Sequence, residues 1–203
     1  MALVTMPSSP LPSALVITQK SVTAVSESPF TLQRQTQIYA ERWQMIMTIP
    51  VMRAAQARLW RVFLSQLSGK AHVFHCGITT ETEPEGVGTG LPIVEGAEQV
   101  GFTLNTTGWN PSIAGILKAG DLIQVGQGSL TRLYQLTADA ASNSNGQASL
   151  SIWPRLRESP SDGVALTIHA CKGTFYLDSN EPRWEVLPGG RYKLDSLALV
   201  EAL

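Results

Sequence analysis

The sequence predicts a mainly β fold, made of two small β-barrel or β-sandwich domains with one amphipathic α-helix in the first. Apolar and polar residues alternate with period two near the N-terminus, which is typical of strands. A single segment has helical periodicity, and turn residues recur about every 8–12 positions in the second half of the chain. The 203 residues are enough for one large β domain or two small ones.

The first predicted domain comprises residues 1–77 and, by return of the chain, residues 185–203. Its first 14 residues are proline-rich and predict an extended arm, and the alternation over residues 15–50 predicts strands. Residues 28–30, Ser-Pro-Phe, indicate a turn between these strands.

A helix is predicted over residues 52–67, which are rich in Ala, Leu, Arg and Gln. Its apolar stripe is expected to pack against a sheet, and Gly69 is expected to follow the helix in the left-handed conformation. The predicted stripe consists of Ala55, Leu59, Trp60, Phe63, Leu64 and Leu67.

Residues 78–92 predict a linker or contact loop, because their glycines, prolines and glutamates show no periodicity. Residues 93–184 then form the second predicted domain, a projecting β-barrel of short strands. Asn145-Gly146 within it is a strong hairpin signal. We predict partner contacts at five positions: Glu81, Glu83, Glu85, Trp109 and Pro111.

Charge and hydropathy exclude several classes of function. With 15 Lys and Arg against 16 Asp and Glu, the chain has no basic excess for specific nucleic-acid binding. No apolar run reaches the roughly 18 residues that membrane insertion requires, and we expect no signal peptide at the N-terminus. Charged residues make up only 15% of the chain, which suggests that other subunits cover part of its surface.

Catalytic and metal sites have little support in the sequence. No G-x-S-x-G elbow is present, and Cys76 and His75 are strand neighbours that point to opposite faces. A zinc site from the histidines and cysteines would need His72, His169 or Cys171 as well, yet no C-x-x-C motif occurs. We expect both cysteines to be free thiols, as in reduced cytoplasm, and expect no cofactor.

The sequence gives little support for a phosphate site and some support for a glycan site. The glycine-rich residues 86–90 lack the lysine and following helix of a phosphate-binding loop. Exposed Trp109, Trp153 and Trp184 could stack on sugars, so a glycan-binding β module is the alternative function. Sheet edges must be paired or protected, and pairing between subunits would do both, which favours an assembly protein over an enzyme.

Short motifs in a fixed order resemble the distal tail proteins at the tail tip of long-tailed, non-contractile bacteriophages. In the first half these are Ser28-Pro29-Phe30-Thr31, Gln35, Glu41-Arg42-Trp43-Gln44, Thr48-Ile49-Pro50 and Phe63-Leu64-Ser65-Gln66-Leu67-Ser68-Gly69. In the second half they include Lys118-Ala119-Gly120-Asp121-Leu122, Ile152-Trp153-Pro154-Arg155-Leu156-Arg157, Asp162-Gly163 and Gly173-Thr174-Phe175-Tyr176-Leu177.

The resemblance implies a structural virion protein without catalytic residues. A β domain with one helix would form a homo-oligomeric ring, six-fold in the family, and a second β domain would project from it. The implied partners are copies of the chain, the tail tube protein, the tail hub and other tail-tip proteins. The implied location is the tail tip of the virion, after assembly in the host cytoplasm.

Overall fold

The computed structural model describes residues 1–202, in which fifteen strands, one α-helix and one short 3-10 turn (Gly128–Leu130) occur. The helix α1 spans Ala54–Leu67. The strands are β1 (Leu3–Val4), β2 (Ala14–Glu27), β3 (Arg34–Thr48), β4 (Met52–Arg53), β5 (Val73–Cys76), β6 (Gly90–Val94), β7 (Gly101–Trp109), β8 (Leu122–Val125), β9 (Arg132–Leu136), β10 (Ala148–Leu156), β11 (Leu166–Thr167), β12 (Gly173–Leu177), β13 (Trp184–Leu187), β14 (Arg191–Leu194) and β15 (Leu197–Glu201).

The strands form three sheets, so the predicted mainly β class is confirmed. The first sheet has the order β1-β5-β12-β15-β3-β2, the second β11-β8-β9-β10-β7-β6, and the third β13-β14-β4. The second sheet nearly closes into a barrel because its two edge strands meet. Ile93 bridges to Ala165 there, and the Val94 N–H donates to the Val164 carbonyl at 2.8 Å.

The first sheet combines distant parts of the chain. The C-terminal strand β15 pairs with both β3 and β12, and the N-terminal β1 pairs in parallel with β5. Strand β12 falls within the residues predicted for the second domain, yet it pairs with β5 and β15 of the first sheet. Phe175 on β12 is fully buried in the core of that sheet.

The helix begins two residues later than predicted. Met52 and Arg53 form strand β4, because they pair with Tyr192 and Arg191 of β14. The predicted apolar stripe was also partly wrong, since Leu59 is 56% exposed and Ala55 lies on the solvent side. The buried face consists of Ala57, Trp60, Phe63, Leu64 and Leu67. Ser68 and Gly69 both take left-handed conformations after the helix, at φ +49° and +66°.

Two hydrophobic cores lie under the first and second sheets, and they meet at Trp43. The Trp43 indole Nε1 donates to the Leu133 carbonyl of β9 at 3.0 Å. Its aromatic ring contacts Trp153 of β10 edge-on, with 4.6 Å between ring centroids, a favourable aromatic geometry. Strand β3 is therefore fixed against the second sheet at this point.

Candidate functional site

Strands β2 and β3 form a long hairpin that projects from the body of the protein. The two strands pair along their whole length, from Ala14 with Thr48 to Glu27 with Arg34, and the register shifts once, at a bulge after Val22. With the exception of Ser28, every residue from 16 to 40 is exposed. At about 3.4 Å per residue, the ribbon beyond residue 20 extends roughly 20–25 Å without support from a third strand.

Apolar side chains on the free part of the hairpin face solvent. The turn at its tip carries Phe30 and Leu32, which are 93% and 74% exposed. Exposed apolar residues on the strands behind the tip are Val22, Val25, Ile38 and Tyr39. An isolated two-stranded ribbon is marginally stable in water, and exposed apolar side chains on it would gain stability from burial. The hairpin is thus the strongest candidate for a contact surface with another molecule.

The base of the hairpin is anchored in a buried charged network. Glu201 of β15 accepts two hydrogen bonds from the Arg157 guanidinium, each 2.6 Å long, and a third from the Trp43 backbone N–H at 3.0 Å. Glu41 of β3 is buried and accepts a hydrogen bond from the Arg155 backbone N–H at 3.1 Å. These contacts hold strand β10 of the second sheet against the hairpin base.

Arg157 remains charged at this buried position because its partner is close. Burial alone would lower its pKa, but the hydrogen bonds and Coulombic attraction of Glu201 together raise the pKa above its usual value. The guanidinium also lies 5.7 Å from the centroid of the Tyr134 aromatic ring, and burial raises the pKa of that tyrosine. Sequence reasoning missed this network. The available signals were the spacing of Arg155 and Arg157, two residues apart near the end of a predicted strand, and Glu201 as the single acid of residues 197–203.

The glutamates of residues 78–92 are exposed, but the segment is held along the second sheet rather than hanging free. The Asp121 carboxylate accepts hydrogen bonds from the backbone N–H groups of Glu85, Gly86 and Lys118 at 2.8, 3.1 and 2.8 Å. The Ala170 N–H also donates to the Thr82 carbonyl at 2.6 Å. These hydrogen bonds hold the backbone that carries Glu81, Glu83 and Glu85 against the second sheet, while the three side chains are exposed.

The expectation of an exposed aromatic ring at Trp109 was wrong. Trp109 is only 3% exposed, and its Nε1 donates to the Thr106 hydroxyl at 2.8 Å inside the second core. Gly108, at φ +87°, breaks the strand alternation so that Trp109 points inward like Leu104. Pro111, the other position predicted beside it, is exposed.

The histidines and cysteines have separate local partners. His75 Nε2 donates to the Gly128 carbonyl at 2.8 Å, and His169 Nδ1 lies 2.7 Å from the Glu83 carboxylate. Cys76 and Cys171 are free and buried, as expected, and burial raises the pKa of each thiol to about 12. Within residues 1–202, no group of three or more His, Cys, Asp or Glu side chains is arranged to hold a metal ion.

Comparison with known proteins assigns no family to the chain. No protein-family model matches it, and no curated protein matches it significantly. The helix of the described residues is too short to span a membrane. The resemblance to distal tail proteins accordingly depends on the sequence motifs alone.

Proposed function

We propose that this chain is a structural subunit of a phage tail tip, where copies of it form a ring between the tail tube and the hub. The observation that carries the proposal is the projecting β2–β3 hairpin, whose apolar side chains are exposed to solvent in the single chain. Burial of such a ribbon against a neighbouring subunit would supply the packing that it lacks in the single chain.

The anchoring of the hairpin supports the same role. A flexible arm would lose conformational entropy on docking, whereas a preorganised arm loses less. The hydrogen bonds of Glu41 and Glu201 hold the hairpin base, which is part of the first sheet, against the end of strand β10 in the second. The low charged fraction of 15% also agrees with extensive contacts between subunits.

The alternative, a glycan-binding module, has no comparable support. It depended on exposed Trp109, Trp153 and Trp184 as stacking platforms. Trp109 is buried in the second core, and the other two are half-buried against the first. We accordingly propose a structural role for the chain, in which the β2–β3 hairpin is the principal contact with a neighbouring subunit.

The test is the mass and shape of the purified chain, measured by light scattering and negative-stain electron microscopy. We expect rings with a multiple of the 21.9 kDa chain mass, about six-fold if the resemblance holds. A chain that stays monomeric, even when mixed with tail tube protein, would contradict the proposal.

Variants then test the hairpin itself. Phe30→Ser/Leu32→Ser should reduce ring formation, because it removes the apolar tip while the hairpin ladder stays intact. Val100→Ser is the matched control, since Val100 is 76% exposed but lies before β7, away from the hairpin. Replacement of residues 22–40 by Asn-Gly should abolish the ring, while the Ser21–Glu41 pair keeps the anchored base. Rings of unchanged stability in both hairpin variants would show that the hairpin is not the contact element.

A further inference from the structure

Exposed arginines lie on the outer surface of α1. Arg58 and Arg61 line one shallow depression there, together with Val62. The guanidinium carbon of Arg61 lies 5.5 Å from the centroid of the Tyr192 aromatic ring on β14. We name Arg58 and Arg61 the basic patch.

The basic patch has no acidic partner among residues 1–202. Both side chains are exposed, and neither takes part in the ion pairs formed by these residues. Helix α1 itself contains no acidic residue. The two positive charges therefore favour the approach of an anionic group to this surface.

The same surface of α1 carries exposed apolar side chains. Leu59 and Val62 are each 56% exposed, and Val62 lines the depression with the two arginines. Apolar residues bordered by charged ones are the usual anatomy of a protein–protein interface. A protein partner with acidic side chains therefore fits this face better than a small anion.

The same chain carries a complementary acidic segment. Glu81, Glu83 and Glu85 are exposed, and among residues 1–202 only Glu83 contacts a basic side chain, with 2.7 Å between its carboxylate and His169 Nδ1. Hydrogen bonds to Asp121 fix the backbone next to Glu85, so this acidic segment is presented on a rigid support. A head-to-tail ring needs two different patches on each subunit, which meet across every interface.

We propose that, in the ring, the basic patch of one subunit binds the acidic segment Glu81–Glu85 of a second copy. This inference rests on the proposed function, because it names a contact of the same assembly. The charges set the direction of head-to-tail assembly, since two basic patches or two acidic segments repel each other. Val62, between the arginines and Leu59 on the surface of α1, adds apolar burial to the contact.

The experiment measures subunit association by light scattering and sedimentation. Arg58→Glu/Arg61→Glu should weaken association roughly tenfold or more, and Glu81→Lys/Glu85→Lys should do the same independently. The combination of all four substitutions should restore the ring, because opposite charges then face each other again. High salt should weaken the wild-type ring, since at about 1 M salt the Debye length is only about 3 Å.

Lys70→Glu/Arg183→Glu is the matched control, because it changes the net charge equally at exposed positions outside the patch. It should leave the ring intact. Circular dichroism confirms that each variant is folded. Normal association of either reversed variant, or failure of the four-fold variant to restore a ring that both reversals weaken, would overturn the proposed contact. A wild-type chain that forms no ring would instead contradict the proposed function.

Discussion

The buried pair of Arg157 and Glu201 should be essential to the stability of the fold. We expect Glu201→Ala to lower the free energy of unfolding by about 3–5 kcal/mol, because it leaves a guanidinium charge without a partner in the core. The Arg157 side chain is only 11% exposed and that of Glu201 is fully buried, so water cannot replace the lost carboxylate. The substitution also removes the acceptor of the Trp43 backbone N–H.

The assay is guanidinium denaturation, followed by tryptophan fluorescence, together with thermal unfolding. For a chain of this size, a loss of about 3–5 kcal/mol corresponds to a fall in Tm of roughly 6–20 °C. Glu185→Ala is the matched control. Glu185 also forms an ion pair, with Lys193 at 3.2 Å, but both side chains are about half exposed. This control should cost less than about 1 kcal/mol.

A double substitution separates the charge effect from the loss of packing. Arg157→Met/Glu201→Leu removes both charges and keeps apolar volume, so it should be much less destabilising than Glu201→Ala alone. If Glu201→Ala costs no more than the Glu185→Ala control, Arg157 is not a desolvated charge and the anchoring role of this network is refuted.

Two further predictions concern the buried thiols and a turn glycine. Burial raises the pKa values of Cys76 and Cys171 from an ordinary 9.0 to about 12 in the folded state. Above pH 9 the unfolded state therefore loses thiol protons that the native state retains. The contribution of the two thiols to the free energy of unfolding should be fully present below pH 9 and should be lost as the pH rises towards 12. Denaturation curves at pH 8, 9.5 and 10.5 give the free energy of unfolding at each pH. Between these pH values the two thiols should lower it by at most about 2.7 kcal/mol per pH unit, and Cys76→Ala/Cys171→Ala should reduce this pH dependence. Gly146 and Gly163 share a left-handed backbone, at φ +73° and +75°, but a Cβ would lie 2.4 Å from the Trp109 carbonyl oxygen only at Gly146. Gly163→Ala should therefore cost about 1–2 kcal/mol and Gly146→Ala clearly more, whereas equal losses of Tm would show that the close approach to Trp109 has no energetic consequence.

The local pattern of the sequence was sufficient to predict the main elements of this protein. Period-two alternation before Pro50 predicted the two long strands, and residues 28–30 lie at the turn between them. The single helix was predicted because its residues have high helix propensity and its apolar residues recur at helical spacing. Asn145-Gly146 also lies in a turn before β10, with Gly146 at φ +73°. Each of these features depends on residues close together in the chain.

Contacts between distant residues could not be read from the same patterns. Leu59 fits the apolar stripe of a helical wheel, yet it is exposed because the face packed on the core is centred on Trp60 and Phe63. Trp109 was expected at the surface, but a positive φ at Gly108 turns it into the second core. Side-chain direction at both positions depends on tertiary packing rather than on local propensity.

The sequence by itself determined the strands, the helix and their turns, because alternation, propensity and turn chemistry act over a few residues. The tertiary structure alone decided that β15 lies between β12 and β3, and that Arg157 meets Glu201 at the base of the hairpin. It also left the hairpin beyond residue 20 without a third strand. These outcomes depend on loop closure and desolvation across more than forty residues, which no short window of sequence contains.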